Sequence, residues 1–183
     1  MMASAKIRFR RSAAVLLAAL ATLPAAASAM ELESPSFETG GTIPSRFSLN
    51  TMGCTGENIS PALTWTDAPA GTKSFAVTMF DPDAPTGSGW WHWVLVNIPA
   101  DVTSLGERSQ PREALATNTD FGISGYLGPC PPVGAAPHRY VVTVYALDVA
   151  TLELNATSPG AMAGFMINSH MLDKASITGF FGR

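Results

Sequence analysis

From Lys73 to Asp81 the chain reads KSFAVTMFD, with Phe75, Val77 and Met79 on one side of an extended strand and Ala76, Thr78 and Phe80 on the other. Apolar residues on both sides predict a strand buried on both faces. HWVLVNI, from His92 to Ile98, and HRYVVTVYALD, from His138 to Asp148, are two further runs rich in β-branched and aromatic residues. Alternation groups His92 with Val94 and Val96, opposite Trp91, Trp93 and Leu95; it groups His138 with Tyr140, opposite Arg139. Turn-forming clusters separate the runs: SPS, TGGTIPSR, GCTGENISPAL, DAPAGT, DPDAPTGSG and GYLGPCPPVGAAP. Short strands at this spacing, with few helical patterns, predict an all-β sandwich.

One helix is expected near the end, in SPGAMAGFMINSHMLDKAS, with Ser158 as N-cap and Pro159 at the first helical position. Met162, Phe165, Met166 and Ser169 share a face at helical spacing, which reads as core packing. Residues 101–125 read as a connecting segment with one short helical turn. At the start, Lys6, Arg8, Arg10 and Arg11 precede the apolar run SAAVLLAALATLPAAASA, which ends in Ala27-Ser28-Ala29. A basic segment, an apolar run too short to span a bilayer and an A-x-A end predict a signal peptide, residues 1–29, cleaved after Ala29. The bland alternative is a buried N-terminal helix. No later run is long and apolar enough to span a membrane, so the mature protein is expected to be soluble and periplasmic or secreted.

Removing residues 1–29 leaves 154 residues, 30–183, a length suited to one domain with one sizeable core. Four of the eleven Lys and Arg lie in the removed segment, so seven remain against fourteen Asp and Glu, a formal balance of −7. That charge argues against a nucleic-acid partner. Cys54 and Cys130 are the two cysteines. In an exported protein they form either one disulfide or two separate thiols, and they are too few for a cysteine-built zinc site.

Chemistry concentrates around DPDAP and the tryptophan-histidine strand after it. Pro82 and Pro85 stiffen the loop that carries Asp81 and Asp83. If the three strands are neighbours, Asp81, Asp83, His92, His138 and Tyr140 converge at one end of the sandwich. Taken singly, either acid reads as a turn residue and either histidine as a satisfied half-buried one; Asp83 also has Arg139 as an alternative partner. Of Trp65, Trp90, Trp91 and Trp93, at most one is expected to line a pocket.

DPDAP, WWHWVLVNIPA, GPCPP and HRYVVTVYALD, in this order, with CTGENISPALTW upstream and ASITGFFGR at the end, resemble the phosphatidylethanolamine-binding protein family, in its bacterial Raf-kinase-inhibitor-like branch. The resemblance covers about Phe37 to Arg183. It implies a β-sandwich of two antiparallel sheets, with a short C-terminal helix and small peripheral helices, and a small anion-binding cavity at one edge. Carried over, the cavity residues are Asp81, Asp83, His92, His138 and Tyr140, with Gly128, Cys130 and Pro131 of the GPCPP loop in the wall. Animal members read glycine-serine-glycine before the two prolines, so Pro129 and Cys130 are a departure at the rim. Trp91 stands where a histidine is found in relatives, which implies a less polar pocket.

Such a pocket is expected to hold phosphate or a phosphorylated head group or peptide, with the histidines, the Tyr140 hydroxyl and backbone N–H groups as donors. If His92 and His138 bind as cations, affinity rises as pH falls toward about 6. Relatives that inhibit kinases and serine proteases add a second expectation, an inhibitor docking on a protein target outside the pocket. A hydrolase built on the Asp/His cluster is the third reading. The chain has no H-E-x-x-H, G-x-S-x-G or Walker A pattern, so the sequence assigns no catalytic residue, metal or cofactor. His170, in the predicted helix, reads as a packing or surface residue. The oligomeric state is left open, a homodimer included.

Overall fold

The computed structural model describes residues 29–183; the basic and apolar residues 1–28 of the expected signal peptide lie outside them. Among the described residues the strands are β1 (Glu31–Glu33), β2 (Leu63–Thr66), β3 (Ser74–Asp81), β4 (Trp90–Pro99), β5 (Ser104–Leu105), β6 (Leu115–Ala116), β7 (His138–Leu147) and β8 (Met171–Phe181). A helix, α1 (Gly160–His170), precedes β8, and a single 3-10 turn covers Ser45–Phe47. The strands form two antiparallel sheets, of order β1-β2-β5 and β6-β4-β3-β7-β8.

Central position explains the apolar pattern of β3. It lies between β4 and β7, so it has no open edge, and its two faces are covered by different layers. Phe75, Val77 and Met79 meet Leu63 and Trp65 of the small sheet in the main core. Ala76, on the opposite face, joins Val94, Val96 and Leu147 beneath Ala163 and Ile167 of α1. Each large side chain sealed in these layers contributes about 1.5–3 kcal/mol of transfer free energy.

The helix sits differently from the sequence expectation. Its buried residues are Gly160, Ala163 and Ile167, whereas Met162 and Phe165 are 51% and 68% exposed and Ser169 is also exposed. The cause is close approach: a Cβ on Gly160 would fall 2.6 Å from Cγ of Trp91, so only small residues let the helix settle on that ring. Pro159 is the N-cap, with no side-chain cap; the Ser158 hydroxyl instead accepts the N–H of Asn155. The helix also ends at His170. The residues after it pair along the length of β7, so sheet hydrogen bonding overrides the local helical pattern. Residues 101–125 hold β5 and β6 and turns, without the expected helical turn.

Candidate functional site

β3 pairs with β7 through Phe80↔Val141 and Met79↔Val142, which brings the end of β3 beside the start of β7. Asp81 lies on the same face as Met79, and His138 and Tyr140 on the same face as Val142, so all three point to the inner side at one end of the large sheet. His92 reaches them through an irregularity. Phe80 pairs with Trp91 but Met79 pairs with Trp93, leaving His92 as the extra residue of a β-bulge. Strict alternation therefore fails here. Trp91 packs with Val94 and Val96 on the helix side, while the His92 ring stands edge-on to Tyr140, 5.2 Å between centroids. Trp91 faces α1 and lies outside the lining of this end of the sandwich.

These side chains line a cavity of about 160 Å³, together with Met52, Pro85, Trp90, Phe121, Cys130 and Pro131. Both Asp81 oxygens are engaged: Oδ2 accepts Nδ1–H of His138 at 2.8 Å, and Oδ1 accepts the N–H of Asp83 at 2.8 Å. His92 donates Nδ1–H to the Leu127 carbonyl at 2.7 Å, and Leu127 N–H donates back to the His92 carbonyl at 2.9 Å. Burial holds the His92 pKa below the ordinary 6.5, so the ring is uncharged at neutral pH. Of the two forms the sequence left open for His92, cation or neutral ring, burial favours the neutral one.

Two buried donors in the same lining lack partners, the Tyr140 hydroxyl and Trp90 Nε1–H. The hydroxyl lies near Asp81 and the Cys130 backbone without a well-formed hydrogen bond to either. Burial, and then the Asp81 charge, push its pKa up, so it stays a donor. His138 adds a charged donor at Nε2 whenever its ring is protonated, since Nδ1–H is committed to Asp81.

Asp83 and Gly128 are placed outside the lining. The Asp83 carboxylate accepts the backbone N–H, Nε–H and Nη2–H of Arg139, and that guanidinium lowers its pKa to about 2. Gly128 supports the wall from behind: its N–H donates to Asn58 Oδ1, and a Cβ there would lie 2.0 Å from the Phe47 carbonyl oxygen. Cys54 and Cys130 are joined in a disulfide, which ties the loop at Cys130 to the segment that carries Met52. Of the four tryptophans, Trp90 alone lines the cavity. His170 bonds Asp148 at the far end of α1. Among the described residues no cluster of His, Cys, Asp and Glu is arranged to hold a metal.

A larger groove, about 280 Å³, runs past Glu57, Asn58, Trp93, Arg108 and Tyr126. Its charged groups are paired with each other, Arg108 to Glu57 at 2.8 Å, and the Tyr126 hydroxyl donates to the Phe47 carbonyl. The cavity with unsatisfied donors is the better candidate. Trp90 and Phe121 were not singled out as its lining by the sequence. Trp90 stands in the tryptophan-histidine stretch, which was a signal; Phe121 sits in an irregular segment that carries none.

The model of the phosphatidylethanolamine-binding proteins matches residues 33–182, nearly all of the described chain. The chain belongs to the phosphatidylethanolamine-binding protein family. It is similar to YbhB of Escherichia coli, 51% identical over 158 residues that cover 83% of this chain and 99% of YbhB. The crystal structure of E. coli YbcL superposes with a TM-score of 0.83 at 42% identity, covering 85% of this chain and 99% of that one. LppC of Mycobacterium tuberculosis, whose name marks it as a lipoprotein candidate, is 36% identical over 162 residues, 88% of this chain and 77% of LppC. The two-sheet sandwich is thus the family fold, and family membership makes this chain one of a group described as binding proteins. The family motifs DPDAP, WWH and HRY supply Asp81, His92, His138 and Tyr140 of the lining, to which Thr86 adds a hydroxyl.

Proposed function

We propose that this is an exported, non-enzymatic binding protein whose cavity holds phosphate or a phosphorylated head group. The observation that carries the reading is the pair of unpartnered buried donors, Tyr140 O–H and Trp90 Nε1–H, beside the Asp81–His138 pair. A buried donor without an acceptor is costly, about 1–3 kcal/mol, and an oxyanion is the kind of acceptor each of them lacks. Asp81, with both oxygens committed, acts by holding His138 and not by touching the anion; His92, bonded at Nδ1 to Leu127, contributes a fixed neutral ring. Three such hydrogen bonds suit micromolar to millimolar affinity after association costs. Calorimetry with phosphate, phosphoethanolamine and acetate tests this. Wild type is expected to bind the phosphorylated ligands; His138→Ala should weaken them by tenfold or more, and Tyr140→Phe several-fold without loss of thermal stability. No heat of binding from wild type would end the proposal.

Export after cleavage at Ala29 is supported by the N-terminal pattern and by the similarity to LppC. A local contact agrees with it. The Met30 N–H donates to Asp173 Oδ2 at 3.1 Å, and Met30 is buried. Cleavage would turn that N–H into an ammonium already facing a carboxylate, which ties β1 to the edge strand β8 more strongly. Intact mass of the exported protein is expected to correspond to a chain starting at Met30; a mass retaining residues 1–29 would refute cleavage.

A further inference from the structure

Asn58 lies outside the cavity lining, yet its side-chain amide spans the segment that grips His92. Its Oδ1 accepts the N–H of Gly128 at 2.8 Å and its Nδ2 donates to the carbonyl of Tyr126 at 3.3 Å. Only this orientation of the amide matches a donor to an acceptor at both ends. Leu127, between those two residues, accepts His92 Nδ1–H with its carbonyl and donates its N–H to the His92 carbonyl. Asn58 itself is anchored, its N–H donating to the Ser48 carbonyl at 2.9 Å. Its φ of +53° is one that Asn tolerates better than most residues.

We infer that Asn58 is a positioning residue, which sets the tautomer and aim of His92 through the backbone of Leu127. A carbonyl can only accept, so as long as Leu127 is held in place the neutral His92 ring keeps its proton on Nδ1 and leaves Nε2 bare. With the amide removed, residues 126–128 lose both of its bonds and the Leu127 carbonyl is no longer fixed opposite the ring. The effect on ligand binding rests on the cavity being the anion site; the effect on the tautomer does not.

The test is long-range proton–nitrogen spectroscopy of the imidazoles, with inorganic phosphate as the binding probe. Asn58→Gly removes the amide while accommodating the positive φ. It is expected to shift His92 away from the pure Nδ1–H tautomer, to leave His170 unchanged and, because the bare Nε2 in the lining then no longer accepts the O–H of a protonated phosphate, to weaken phosphate at least tenfold. Asn58→Asp keeps an acceptor for Gly128 N–H and should retain the wild-type tautomer, with phosphate affinity within about threefold. A wild-type His92 tautomer in folded Asn58→Gly overturns the inference. If that variant does not fold, Asn58→Ser, whose hydroxyl cannot bridge Tyr126 and Gly128, takes its place, and a wild-type His92 tautomer there overturns the inference instead. A wild type that binds no phosphate would refute the anion reading while the tautomer still decides the role of Asn58.

Discussion

At the residue scale, His92 couples the cavity to pH. Its pKa is lowered by burial below the unfolded value of about 6.5, so the unfolded chain takes up a proton that the folded chain resists. The contribution is therefore intact above pH 6.5, and stability is lost as pH falls below it, by up to about 1.4 kcal/mol per pH unit until the folded ring titrates. Urea unfolding between pH 7.5 and 5.5 should show this loss in wild type and a shallower one in His92→Gln. Equal slopes would show that burial of His92 is not its source. Asp83 has the opposite chemistry at the same end of the sandwich, an exposed carboxylate held ionised by Arg139. It stiffens the loop after β3 and leaves the cavity to Asp81.

At the element scale, the bulge in β4 and the seat of α1 are one arrangement. The extra residue at His92 turns Trp91 outward, and Trp91 is the surface on which Gly160 and Gly164 rest. Gly160→Ala is therefore expected to destabilise by about 1–3 kcal/mol through overpacking, although Ala is otherwise the better helix former. Phe165→Gln, on the exposed face, should change stability by no more than about 0.5 kcal/mol. Denaturation midpoints check both, and the reverse ranking would mean that α1 buries its large apolar stripe. The same two features mark what could be read in the sequence. β3 and β7 were legible because each is an unbroken run of apolar, β-branched and aromatic residues, and regular alternation of faces within it places Asp81, His138 and Tyr140. The bulge was not, since a single extra residue leaves the strand pattern intact while reversing the faces before it. The helix face was misread because hydrophobicity favours Met162 and Phe165, whereas contact with Trp91 selects for absence of bulk.

At the scale of the whole molecule, the sandwich places its chemistry where three strands end and two loops cross. The strands supply Asp81, His92, His138 and Tyr140; the Asn58 and Gly128 segments hold His92, and the disulfide holds the wall at Cys130. Closing so long a loop by a disulfide contributes about 4 kcal/mol in the chain-entropy account. Sandwich architecture was legible from strand spacing, but the pairing of the cysteines was left open, because sequence does not show which loops meet. Whether this edge cavity holds a phosphate-type anion is read from the three histidines of the chain. Imidazole spectra recorded while phosphate is added should show His92 and His138 shifting together and saturating, with His170, bonded to Asp148 on the helix, as a still reference. Unmoved His92 and His138 signals, or all three drifting in proportion to added salt, would contradict an anion site there.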